Sequence, residues 1–215
     1  MAISDIGEDI LSVLEELGSK VSIYKYSTQR TYEEFVDTNY EVNHVYPWTS
    51  HYMMKCDFGY NTQAESGDLL TFIDDMQHPT RYIIVALAKE RFEQQVIAKE
   101  GVVYMCNSIV QIQRRQEATD PSTYDTVVTW PIVYSGEYAF ITGLLDSNKE
   151  FTRNFGEFSI DSNQMYLSAS IDIREDDRCI INSDNISCEI YQVASVEKDY
   201  LPGVFICKIK EDNRE

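Results

Sequence analysis

Residues 187–212 read SCEIYQVASVEKDYLPGVFICKIKED, and the fold is decided here. SCEIYQVASVEK (187–198) sets Ile, Tyr and Val between polar residues, Pro202-Gly203 makes a turn, and GVFICKIKED (203–212) resumes the pattern. Period-two alternation of β-branched and aromatic residues, bounded by turn residues, marks antiparallel strands. Moving outward toward the N-terminus, similar runs are RCIIN (178–182), QMYLSASIDIR (164–174), EYAFITGL (137–144) and TYDTVVTW (123–130). Before them come GVVYMCNSIVQIQRR (101–115), QVIAKE (95–100), RYIIVALAKERF (81–92), DLLTFID (68–74), HYMMKCDF (51–58) and KVSIYKY (20–26). Turn clusters separate them at Glu65-Ser66-Gly67-Asp68, Asp120-Pro121-Ser122, Ser135-Gly136 and Asn182-Ser183-Asp184-Asn185. About ten short strands so spaced predict a mainly β fold, an antiparallel β-barrel or sandwich. RYIIVALAKERFEQQVIAKE is also rich in helix formers, so a helix stays open as the alternative there.

One helix is expected at the N-terminus. Asp5 can cap it, Glu8 completes a capping-box-like pattern, and Gly18 can close it. Ile6, Ile10, Val13, Leu14 and Leu17 form an apolar stripe that needs cover from the chain's own sheet or from a neighbouring subunit. The domain reading is therefore an amphipathic helix over 1–19 and one β-rich domain over 20–215. Within that domain VALAKERF (85–92) and VASVEKDY (193–200) sit in similar surroundings, each after an acid-led strand and before a Gly-Val strand. That makes 67–107 and 176–212 a weak internal repeat or ordinary hairpin patterning written twice. The looser stretch 108–163 reads as a long mid-chain excursion.

The charge balance is 18 Lys+Arg against 36 Asp+Glu, a formal net charge of −18. Such a surface repels phosphate backbones and anionic lipid, which argues against nucleic-acid or membrane-surface binding. No basic signal region and no apolar run of membrane-spanning length is visible. The five cysteines, Cys56, Cys106, Cys179, Cys188 and Cys207, are odd in number and mostly lie in apolar runs, so reduced core thiols are expected. Asn185-Ile186-Ser187 matches a glycosylation acceptor by spelling alone.

No constellation of residues in the sequence carries a recognisable chemistry. His44, His51 and His78 make no zinc-type spacing, and His51 and Cys56 on one strand point to opposite faces. Glu33-Glu34, Asp74-Asp75 and Asp176-Asp177 are paired carboxylates at strand or turn ends, where solvated acids are common. Nucleophile elbow, phosphate loop and dinucleotide fingerprint are all missing. Arg114-Arg115 and the scattered Arg30, Arg81, Arg91, Arg153, Arg174, Arg178 and Arg214 are expected to pair with neighbouring acids. No catalytic, cofactor-binding or metal-binding residue is assigned, no cofactor is expected, and the chain reads as a non-enzyme.

DDRCIINSDNISCEIYQVASVEKDYLPGVFICKIKED (176–212), echoed by GDLLTFIDD and RYIIVALAKERF, resembles the neck and head-completion proteins of tailed bacteriophages. These are the head–tail connector proteins of the adaptor and stopper class. The resemblance implies a structural virion protein, assembled in the bacterial host cytoplasm, forming a ring of six or twelve copies around a DNA channel. Its partners would be itself and neighbouring portal, adaptor or tail proteins, with DNA only loosely confined and no membrane involved. Acids facing the bore would let DNA slide without sticking. Alternatives are another virion part (tail tube, tail terminator or baseplate) or a small-ligand-binding β-barrel, for which Trp48 and Trp130 are the candidate aromatic lining.

Overall fold

A computed structural model describes residues 5–39, 52–73, 79–119, 121–122, 124–142, 163–183 and 187–214. The chain is mainly β and antiparallel. It opens with α1 (Asp5–Leu17), followed by β1 (Ser19–Lys25), β2 (Arg30–Asn39), β3 (Met53–Gly59), β4 (Leu69–Phe72), β5 (Arg81–Phe92) and β6 (Gln95–Met105). Then come β7 (Ser108–Gln113), β8 (Gln116–Thr119), β9 (Thr126–Thr129), β10 (Ile132–Ile141) and β11 (Asn163–Ser168). The last three are β12 (Arg178–Ser183), β13 (Ser187–Leu201) and β14 (Val204–Glu211).

These strands close into two barrels of the same topology. The first runs β1-β2-β3-β6-β5-β4, with β4 pairing back onto β1. The second runs β7-β10-β11-β14-β13-β12, with β12 pairing back onto β7. In each, the six strands taken in chain order lie around the barrel as first, second, third, sixth, fifth, fourth. The stretches matched in the sequence, 67–107 and 176–212, hold β4–β6 and β12–β14, the equivalent triplets of the two barrels. The strands β8 and β9 belong to neither barrel and form a two-stranded ribbon.

The β-rich part, read from sequence as one domain over 20–215, divides accordingly. One compact unit holds residues 1–106, 168–170 and 201–204; the other holds 107–167, 171–200 and 205–215. The run GVVYMCNSIVQIQRR, expected as one strand, breaks at Cys106-Asn107, where the Asn107 amide side chain bridges to Ile141. The expected excursion 108–163 is strand over much of its length, as β7 to β10; residues 143–162 lie outside the described residues. RYIIVALAKERFEQQVIAKE forms β5 and most of β6, paired from Tyr82↔Met105 to Phe92↔Gln95, so its helix formers are overridden by tertiary pairing.

The interiors are filled. In the first barrel Val21, Ile23, Val36, Met54, Cys56, Phe58, Ala64, Leu70, Ile84 and Val103 make one buried cluster. Gly101 gives Phe58 room to cross β6, since a Cβ there would stand 2.6 Å from the ring. In the second unit Val110, Ile112, Ile141, Met165, Leu167, Cys179, Ile181, Val193 and Ile209 are buried alternates of neighbouring strands. Burying side chains of this size contributes about 1.5–3 kcal/mol each. The helix packs on β2, β3 and β6, burying Gly7 and Leu14 and partly burying Ile6, Ile10 and Leu11. Val13 and Leu17, expected in the buried stripe, face outward. The Gly18 N–H donates to the Leu14 carbonyl at 2.8 Å and ends the helix.

Within the first unit, Gly67 (φ +95°) and Gly203 (φ +78°) meet backbone to backbone. A Cβ on Gly203 would lie 2.0 Å from the Ser66 carbonyl oxygen, so no other residue fits there.

Candidate functional site

Of the nine arginines, Arg114, Arg115, Arg174, Arg178 and Arg214 all belong to the second unit and are bound up with its acids. Arg114 follows β7 and grips Asp177 as a fork, Nε to Oδ1 and Nη2 to Oδ2, both at 2.9 Å. Its Nη1 also donates to Asp172 Oδ2 at 3.1 Å, and its backbone N–H donates to the Pro131 carbonyl. Asp177 is 3% exposed and accepts the Arg174 backbone N–H as well. Bidentate pairing of this kind is the strong form of a charge-assisted hydrogen bond.

A second knot lies at the C-terminal end. Asp212, with its side chain 0% exposed, accepts Arg178 Nε at 2.7 Å and Arg214 Nε at 2.8 Å. Arg178 Nη2 donates to the Arg214 carbonyl, tying the two arginines together. Burial works against ionisation of Asp212, but the hydrogen bonds from Arg214 and Arg178 outweigh it and hold the carboxyl far below its ordinary value. Arg174, with Arg114 behind it, draws the Asp172 carboxyl down to about 2. Both guanidiniums of the knot lie over the indole of Trp130, at 4.0 Å for Arg178 and 4.8 Å for Arg214. The Trp130 Nε1–H is buried and has no acceptor among the described residues.

The first unit is built on opposite electrostatics. Glu34 accepts Thr62 Oγ1 at 2.5 Å, and burial raises its carboxyl above the ordinary value. Asp68 is buried in the 65–68 turn, accepting the Glu65 and Tyr26 backbone N–H groups, and it too is raised by burial. Asp57 stands directly opposite Asp37 on β2 and Glu100 on β6, and burial together with Glu90 and Glu100 pushes it up.

The paired carboxylates do not act as pairs. Glu33 points outward to Lys20 while Glu34 turns to Thr62. Asp177 is buried under Arg114 while its neighbour Asp176, held at φ +70°, reaches Gln192 and Arg214. Asp74-Asp75, Trp48 and all three histidines lie outside the described residues. Cys56 points inward and Asp57 outward, so they share no ligand sphere. Among the described residues no group of three or more His, Cys, Asp or Glu side chains is placed to hold a metal. None of the five cysteines is in a disulfide; burial pushes Cys56, Cys106 and Cys207 up to about 12, while Cys188 is exposed rather than in the core. Reading the arginines as salt-bridge partners holds for those five. The convergence of Arg178 and Arg214 on Trp130 is not legible in the sequence, because the three residues come from segments far apart in the chain.

No protein-family model matches this chain, and no curated protein matches it. Among solved structures, Escherichia coli YcgR in complex with c-di-GMP is similar at 9% identity and a TM-score of 0.22, covering 97% of this chain and 82% of that one. Klebsiella MrkH in its apo state gives 8% identity and a TM-score of 0.25, over 97% and 85% of the two chains. A further MrkH structure, described as a c-di-GMP-dependent transcription regulatory factor, gives 6% identity and a TM-score of 0.24. TM-scores of this size fall short of a shared fold. The class is set by the chain's own geometry, two filled six-stranded antiparallel barrels.

Proposed function

We propose that this chain is a non-enzymatic binding protein that holds a small acceptor-bearing ligand on the outside of its second barrel. The observation that carries the reading is the Trp130 indole N–H, buried without an acceptor among the described residues and overlain by the Arg178 and Arg214 guanidiniums. A buried donor left unpaired costs about 1–3 kcal/mol, which an oxygen acceptor on a ligand offsets. The two guanidiniums already pair with Asp212, so what they offer a ligand is their planar surface beside the indole, which favours a planar group. The barrel interiors are occupied by the protein's own side chains, so the ligand sits at the surface rather than in a lumen.

Calorimetric titration with c-di-GMP, the ligand named for the YcgR structure, and with inorganic phosphate tests this. Saturable heat is expected with at least one probe, weakened several-fold in Trp130→Phe, which keeps the ring and removes the N–H. Absence of heat with both probes, or equal binding by Trp130→Phe, overturns the reading.

A tailed-phage neck component is the second proposal, resting on the sequence resemblance. One observation favours it: Ile109, Ile132 and Ile190 of the second unit are exposed apolar residues of the kind subunit contacts use. Native mass measurement giving a closed ring of six or twelve copies supports it, and a solitary chain counts against it.

A further inference from the structure

The Trp130 indole poses a problem of access. Its Nε1–H is the donor assigned above to a ligand, yet it is sealed from solvent as well as unpaired among the described residues. No acceptor from outside reaches it until a neighbouring side chain shifts. Two guanidiniums overlie the indole, those of Arg178 and Arg214, and they are held in different ways.

Arg178 is fixed. It stands on β12, whose backbone pairs there with β13 at Gln192 and with β7 at Gln113, so a strand lies on either side. Its side chain is 13% exposed, with Nε engaged by Asp212 Oδ2 and Nη2 by the Arg214 carbonyl, each at 2.7 Å. Moving it would release the buried Asp212 carboxylate and the backbone of the segment after β14 together.

Arg214 is held by its backbone and only lightly by its head. It follows β14 in a segment that is not strand. Its N–H donates to Asp212 Oδ1 at 3.0 Å, and its carbonyl accepts from Arg178. Its side chain is 29% exposed, and the guanidinium reaches the Asp212 carboxylate and, at the surface, the Asp176 carbonyl. If that guanidinium lifts away, Asp212 keeps a donor on each oxygen: Arg178 Nε on Oδ2 and the Arg214 backbone N–H on Oδ1. No buried charge is orphaned, and the freed side chain regains rotamers.

We infer that Arg214 is a gate on the Trp130 site: its guanidinium swings outward to admit a ligand, while Arg178 and the backbone of 212–214 stay in place. The inference rests on the ligand reading and adds the regulation of that same site. It also narrows the ligand class. The entering group takes the place of one guanidinium over the ring, beside the other, and must bring an acceptor to the N–H. A planar group with an oxygen at its edge does both.

Hydrogen–deuterium exchange of the Trp130 indole N–H, followed by NMR on the ligand-free full chain, tests this; Trp130→Phe assigns the resonance. In the native chain the indole N–H should be less protected than the backbone amides of β12 and β14, each judged against its own unprotected rate, because the gate opens without the sheet. Arg214→Ala should speed indole exchange tenfold or more and leave those amides unchanged. An indole N–H as protected as the amides in the native chain, or one that Arg214→Ala does not accelerate, overturns the gate. Acceleration shared by the β12 and β14 amides overturns it too, since Arg214 would then be a pin of the barrel. No ligand is present, so the result is separate from calorimetry: faster indole exchange without heat from either calorimetric probe supports the movable cover and counts against the ligand reading alone.

Discussion

The two barrels share a strand order and differ in how they hold charge. In the first unit Glu34, Asp57 and Asp68 are partly or wholly buried and raised toward their neutral forms. In the second, Asp172 and Asp212 are pinned as carboxylates by arginines. One topology therefore tolerates two opposite treatments of an acid, because the closed hydrogen-bond ladder and the apolar interior fix the fold while surface and end residues are free to vary. The difference also separates the units in solution, since each treatment gives the opposite response to pH.

The largest expected effect is Asp212→Ala, which leaves Arg178 and Arg214 without their shared carboxylate. Breaking such a pair should cost about 3 kcal/mol. Urea unfolding followed by amide protection should show the loss in β7 and β10–β14, with β1–β6 unaffected; equal loss in both sets would erase the contrast between the units. Next comes Gly203→Ala, where a Cβ at positive φ would strike the Ser66 carbonyl. A cost of about 2 kcal/mol is expected, now read in the first unit.

Acid titration sharpens the comparison further. A carboxyl raised in the folded state adds stability that is full below its ordinary value, 3.8 for Asp68 and 4.5 for Glu34, and fades as pH rises through the folded value. A depressed carboxyl adds stability above its ordinary value and loses it as pH falls, for Asp172 between 3.8 and about 2. Lowering pH from neutral toward 3.8 should thus strengthen the first unit, and lowering it further should weaken the second. Urea midpoints measured unit by unit at several pH values check this, and parallel movement of the two would refute it. The smallest effect is Glu34→Gln, which removes a desolvated charge while keeping an acceptor for Thr62. A gain below about 1 kcal/mol at neutral pH is expected, together with a blunted acid response of β1–β6.

Much of the fold was legible because strands write their period directly. The runs 20–26, 51–58, 68–74, 81–92 and 203–212 cover all or nearly all of β1, β3, β4, β5 and β14, and β5 with β6 shows pairing overriding helix formers. β2 is hidden in the sequence because TYEEFVDT places Glu33, Glu34 and Asp37 among its residues, and an acid-rich strand looks like a loop. The boundary between the units is hidden because MCNSIV reads as continuous strand; it ends only where the Asn107 side chain claims the Ile141 backbone. The Arg and Trp cluster was invisible for a different reason. Its members are joined by barrel closure, which brings β7, β12 and the segment after β14 to one place, and no local spacing encodes that.

The strand order has a consequence for synthesis. Every strand of the first barrel has been synthesised once Met105 is made, and clears the ribosome after a further stretch of chain has filled the exit tunnel, while the second barrel needs the chain as far as Glu211. The earlier sheet can close on itself without waiting for the later one, so through the later part of translation the nascent chain carries a finished ring of hydrogen bonds instead of open strands that invite misassembly.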